Sequence, residues 1–279
     1  MSINNSWIIL IHFLLFIVII NFINSVSVVK IRKNSAGISN NSTQNCLFIG
    51  CLCTFNYIKC PAGYNDQESS SIYDYSNKLT MFPKRTNFYS SNLKLNNLTI
   101  NLRDNYLEMI PDDRFSGLGL LKLDLSNNSI YKLSTFVFRD MTRLDILDLS
   151  HNKVSYLSSS IFSPIETSLH VLNLDTNCLN ELETFRLTNS FSRLKRLNLL
   201  DLSNNKLFNL PNLAETNLIR LIARSNQIEI LVDQDTYKPL LPRSLVDLNL
   251  EFNEIKYISD NYFENLFNLK HLNLANNQI

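Results

Sequence analysis

The residues able to do chemistry are few and scattered. The four histidines are His12, His151, His170 and His271. A zinc site or a catalytic triad needs imidazoles at fixed spacings from further ligands or a nucleophile, and none of the four has such neighbours. Only five glycines are present, and no glycine-rich phosphate loop or nucleophile elbow can be found. Asp124, Asp148 and Asp201 recur at one position of an internal repeat, and paired carboxylates can do acid–base work. Asn101, Asn173, Asn249 and Asn273 hold that same position, which marks a polar outward column rather than a catalytic one. No catalytic residue, no metal ligand set and no cofactor are expected.

The cysteines suggest oxidative chemistry instead. Cys46, Cys51, Cys53 and Cys60 form a tight C-x4-C-x-C-x6-C cluster. Four cysteines allow three pairings. A bond between Cys51 and Cys53, across one residue, would strain the disulfide. Two pairings stay open: 46–53 with 51–60, or 46–51 with 53–60. A zinc site is the rival reading, and the hydrophobic leader favours an oxidising compartment. Cys178 stands apart, as a free thiol or a partner for something outside the chain. Asn40, Asn41, Asn97 and Asn127 each begin an N-x-[ST] sequon and are candidate glycan sites.

That leader runs from Trp7 to Ile20 and is apolar except for His12. A membrane-spanning helix wants roughly 17–25 apolar residues and a signal core about 7–15. The length fits a signal peptide over 1–27, cleaved after Ser27, where Ser25-Val26-Ser27 supplies small residues. An uncleaved anchor is the alternative, since Lys30, Arg32 and Lys33 follow and no basic residue precedes Trp7. Residues 28–45, rich in Ser and Asn without apolar periodicity, read as a flexible linker.

The rest of the chain repeats. Leu120 to Ile130 reads LLKLDLSNNSI, and its pattern returns from Leu144, Leu169, Leu197, Leu218, Leu245 and Leu269, with a weaker copy from Asn97. The recurring asparagines are Asn105, Asn128, Asn152, Asn177, Asn205, Asn226, Asn253 and Asn277, spaced by 21 to 28 residues. The LxL core has period two, so it predicts a short strand with leucines buried and the middle residue outward. The asparagine marks the turn, where a buried carboxamide could satisfy backbone groups of stacked coils. The returning limb carries apolar positions such as Leu107, Ile110, Phe115 and Leu118. Phe115, Phe138, Phe162 and Phe263 share one of them, which predicts an aromatic column. About eight buried side chains at ~1.5–3 kcal/mol each cannot outweigh the ~1–2 kcal/mol per residue lost on ordering a repeat of this length. The repeats must therefore stack.

This pattern and period resemble the leucine-rich repeat. Cys46 to Cys60, with Ile58 two places before the last cysteine, resembles the N-terminal cysteine cap of extracellular members of that family. Leu79-Thr80-Met81-Phe82-Pro83 is similar to the L-x-x-I-P segment that follows such caps, although Leu47 stands where a proline is often found. The resemblance covers roughly 46–279. It implies an α/β solenoid: a horseshoe with short parallel strands on the concave face and irregular or 3-10 segments on the convex one. It also implies the pairing Cys46–Cys53 with Cys51–Cys60. The cap and its polar loop then occupy 46–96, and eight repeats occupy 97–279, the last incomplete. Since Ile279 ends a consensus unit with no returning limb, the sequence reads as part of a longer protein.

In such a solenoid the outward residues of the strands line the binding face. One column runs Thr99, Lys122, Ile146, Val171, Leu199, Arg220, Asp247 and His271. The next runs Asn101, Asp124, Asp148, Asn173, Asp201, Ile222, Asn249 and Asn273. A third, after the LxL, runs Arg103, Ser126, Ser150, Asp175, Ser203, Arg224, Glu251 and Ala275. Ile146, Val171 and Leu199 make an apolar strip on a face that should be wet. Arg220, Ile222, Arg224 and Phe252 follow it, and aromatic and Arg side chains beside an apolar patch are what interface centres contain. These seven are the candidate ligand-binding residues. Eight strands at the usual spacing offer about 600 Å², near the ~800 Å² per partner of a standard interface.

A net charge of +1 gives no electrostatic reason to expect nucleic acid or an anionic membrane surface as partner. The expectation is a secreted or cell-surface, non-catalytic module that binds a protein, with membrane attachment only through a segment outside this chain. The resemblance leaves two alternatives: a structural matrix protein like the small leucine-rich proteoglycans, or the binding region of a longer enzyme.

Overall fold

The structure is a computed structural model that describes residues 52–54, 57–59, 96–112, 114–180, 190–232 and 240–279. Its strands, in chain order, are β1 (Leu52–Thr54), β2 (Tyr57–Lys59), β3 (Asn96–Asn101), β4 (Met109–Ile110), β5 (Gly119–Asp124), β6 (Lys132–Leu133) and β7 (Ile146–Asp148). Next come β8 (Val171–Asn173), β9 (Leu199–Asp201), β10 (Arg220–Ile222), β11 (Ile230–Leu231), β12 (Asp247–Asn249), β13 (Tyr257–Ile258) and β14 (His271–Asn273). One main sheet runs in the order β1-β2-β3-β5-β7-β8-β9-β10-β12-β14. From β2 onward every neighbouring pair is parallel. The chain is thus a parallel β-solenoid in which each turn adds one strand beside the last.

The period-two pattern explains each strand. In β7, β8, β9, β10 and β12 the middle residue is buried and its neighbours are half-buried. Leu147, Leu172, Leu200, Leu221 and Leu248 are fully enclosed between adjacent turns. The order β1-β2 is a hairpin: the two strands pair antiparallel, with Cys53 opposite Ile58, and β2 lies parallel to β3. It covers the sheet edge that would otherwise present unpaired backbone groups. The disulfide pairing itself, the leader, the linker and the sequons at Asn40 and Asn41 lie outside the described residues.

Among the described residues the returning limbs hold little helix. One carries a 3-10 turn, Ser163–Ile165, whose Pro164 suits the first turn of a helix. Two short parallel pairs, β4 with β6 and β11 with β13, stitch limbs together. The aromatic column forms, with Phe191 as an added member. Phe115, Phe138, Phe162 and Phe191 are buried. The rings of Phe138 and Phe162 lie 6.0 Å apart, and those of Phe162 and Phe191 5.9 Å, each pair tilted by 17°. Phe263 holds the expected position, its carbonyl accepting the Leu266 N–H as those of Phe115, Phe138 and Phe162 accept from Leu118, Met141 and Ile165; it packs half-buried against the core and meets the buried Tyr262 edge-on at 5.2 Å. Phe191 escapes a fixed-spacing search because its repeat is the one of 28 residues between asparagines.

The asparagine ladder is present turn by turn. Asn128 accepts the Leu107 N–H at 3.0 Å and donates to the carbonyls of Leu102 and Leu125. Asn152, Asn177, Asn205, Asn226, Asn253 and Asn277 repeat the arrangement. Each carboxamide therefore ties its own coil to the preceding one. The residue before each asparagine turns the chain through a left-handed conformation: Asp104, Asn127, His151, Thr176, Asn204, Ser225, Phe252 and Asn276 all have φ between 51° and 62°.

Candidate functional site

The outward column read as polar rather than catalytic is explained by the backbone. Asp124, Asp148 and Asp201 each accept the N–H of the residue two places on, at 3.1, 2.9 and 2.9 Å. Asn101, Asn173, Asn249 and Asn273 do the same at 3.0 Å. These are Asx turns, in which either side chain serves, so Asp and Asn alternate in the column. The third column divides. Ser126, Ser150 and Ser203 are buried rather than facing a partner, because a small hydroxyl can fold in under the turn. The hydroxyls of Ser126 and Ser150 donate to Asp124 and Asp148 at 2.6 Å. Arg103, Arg224 and Ala275 remain exposed.

Two of the carboxyls are costly. Burial pushes Asp201 up to about 6, against the bond it accepts from the Ser203 N–H, and the neighbouring Asp175 and Asp148 add to the rise. Burial also raises Asp148, opposed by Ser150, with Asp124 adding to the rise and Lys122 lowering it. Neither has a Lys or Arg ion-pair partner among the described residues.

The sheet register places four of the seven candidate residues side by side. Ile146 on β7 lies beside Val171 on β8, Val171 beside Leu199 on β9, Leu199 beside Arg220 on β10, and Arg220 beside Asp247 on β12. All are outward and half-buried, as is Ile222. Arg220 Nε is 3.0 Å from Asp247, whose side chain is 17% exposed against 22% for Arg220, so the pair is well shielded. Arg224 lies over the ring of Phe252, 5.8 Å from its centroid. Phe252 is 48% exposed. It also holds φ at 56°, a conformation that bulky side chains avoid. Sequence reading missed Asp247 as the partner of Arg220. The signal was there, as opposite charges at one position of successive repeats.

Elsewhere on the turns, His151 Nε2 is 3.7 Å from Asp175, and His170 Nδ1 bonds Asp145. Among the described residues no group of three His, Cys, Asp or Glu could hold a metal ion. Cys178 is half-buried, with its N–H on the Val154 carbonyl. Of the sequons, Asn97 is exposed at a bulge in β3 and accepts a bond from Arg143. Asn127 is exposed at the end of the β5 turn and donates to Asp104 at 2.6 Å.

Residues 96–154 and 119–179 match the family model described as leucine rich repeat. Toll-like receptor 3 of Boselaphus tragocamelus is 29% identical over 204 residues, covering 68% of this chain and 22% of the receptor. Osteomodulin of Bos taurus is 28% identical over 224 residues, covering 79% of this chain and 48% of osteomodulin. The solved structure of a leucine-rich-repeat protein from Leptospira interrogans superposes with a TM-score of 0.53 at 28% identity, covering 66% of this chain and 44% of that one. The chain spans less than half the length of these relatives.

Proposed function

The chain belongs to the leucine-rich-repeat family, and we propose that it is a non-catalytic extracellular module that binds a protein on the outward face of its main sheet. The observation carrying this reading is the apolar strip Ile146–Val171–Leu199, running unbroken across three hydrogen-bonded strands on the solvent side. A solenoid already buries its leucines on the inner side of those strands, so apolar side chains on the outer side gain only the partial burial they give one another. The Asp247-paired Arg220, the outward Ile222 and the Arg224–Phe252 stack extend the strip into the next two turns. Together they supply the aromatic and guanidinium groups that dominate binding energy at interfaces. The extracellular setting is supported by the relatives, a Toll-like receptor and an osteomodulin, and by the leader and cysteine cluster.

A decisive experiment screens the secreted chain against a panel of extracellular proteins and measures affinity for any partner found. The variant Arg220→Glu/Phe252→Ala should bind that partner at least about tenfold more weakly, equivalent to ~1.4 kcal/mol. Unchanged affinity removes this face from the account. The osteomodulin match favours a second reading, a structural matrix protein of the small leucine-rich proteoglycan type.

A further inference from the structure

We propose that the middle of the outward face, β7 to β9, holds a protein segment that carries Lys or Arg beside apolar side chains. The inference rests on the recognition role and adds the chemistry of the partner. Ile146, Val171 and Leu199 offer the apolar strip. In the adjoining column of the same strands stand Asp148, Asn173 and Asp201, and Asp175 follows in the turn after β8. An apolar seat with a carboxylate border is complementary to a cationic, apolar segment.

The cations nearby are already engaged or distant from the border. On β10, Arg220 is held by Asp247, and Arg224 beyond it lies on Phe252. His151 faces Asp175. Lys122 on β5 acts on Asp148 but makes no ion pair with it. The acids facing the border are Asp124 on β5 and Asp175.

The turn does not require these charges. Asn makes the same Asx turn at Asn101, Asn173, Asn249 and Asn273 with bonds of the same length. At Asp148 and Asp201 the fold carries a buried carboxylate that it opposes and that the backbone does not need. An ammonium or guanidinium brought by a partner would relieve that opposition, because an opposite charge favours the ionised form.

The test uses the intact secreted chain and short fluorescent peptides of alternating Lys and Leu, with Glu–Leu and Lys–Ser versions beside them. The Lys–Leu peptide should bind, and both other peptides should bind at least about tenfold more weakly. The protein variant Asp148→Asn/Asp201→Asn keeps both turn acceptors and should lose at least about tenfold in Lys–Leu affinity, with a thermal melt verifying its fold. The variant Asp112→Asn/Asp260→Asn, an equal charge change at exposed positions elsewhere, should bind like the parent. Equal Lys–Leu binding by the parent and Asp148→Asn/Asp201→Asn, equal loss in both variants, or no binding to the parent each overturns the proposal. The recognition role would survive any of these if Arg220→Glu/Phe252→Ala still loses its native partner.

Discussion

At the residue scale, one position shows a charge working against the fold. Asp201 holds its proton up to about 6 in the folded chain, against an ordinary value of 3.8. The folded state therefore binds that proton more tightly than the unfolded state does. This favours folding at low pH, and the benefit fades as pH rises from about 4 to about 6. Asp201→Asn should accordingly stabilise the chain at neutral pH, by at most about 2–3 kcal/mol, with the advantage gone below about pH 4. Denaturant unfolding of both forms across that range measures it, and a gain independent of pH would contradict the electrostatic origin. Phe252 has a related tension. Its left-handed backbone costs a bulky residue ~1–2 kcal/mol, while the Arg224 stack returns ~0.5–1 kcal/mol. Phe252→Asn should leave stability unchanged or slightly raised while weakening partner binding, which a melt and an affinity measurement together would show.

At the element scale, the ladder and the aromatic column hold one turn to the next. Asn152 bridges two coils with four bonds and is 7% exposed. Asn152→Ala leaves the Ile130 N–H and the carbonyls of Leu125 and Leu149 without that partner in a dry interior. A loss of about 2–4 kcal/mol is expected, since each buried unsatisfied group costs ~1–3 kcal/mol and some relax toward water. Phe162 stacks on rings in both neighbouring limbs, so truncation opens the column on two sides. Phe162→Ala should cost about 3–5 kcal/mol in denaturant unfolding. A cost below that range would mean the neighbouring rings close the gap.

At the scale of the whole molecule, stability is shared along the stack. Each turn touches chiefly the one before and the one after, so inner turns are supported on both sides. The inward leucine of β7, Leu147, is fully buried, whereas its counterpart in β14, Leu272, is 42% exposed. Native-state hydrogen exchange should be slowest in β7 to β9 and fastest in β14. Uniform protection along the sheet would indicate a single all-or-none unit instead.

Much of this was legible in the chain itself. The LxL spacing alone demanded strands with leucines inward, and the recurring asparagine predicted the ladder, because both are local patterns repeated until chance is excluded. Six of the seven candidate face residues could be named from their columns, and Phe252 from the turn that follows. What one repeat cannot contain is what its neighbour does to it. Asp247 beside Arg220, Phe191 in place in the aromatic column, and the serines folded under their turns all depend on strand register and coil length. So does the strain on Asp201, since burial and two facing carboxylates exist only once the coils are stacked. Periodicity determined which fold this chain adopts; contact between turns decided which of its charges are comfortable there.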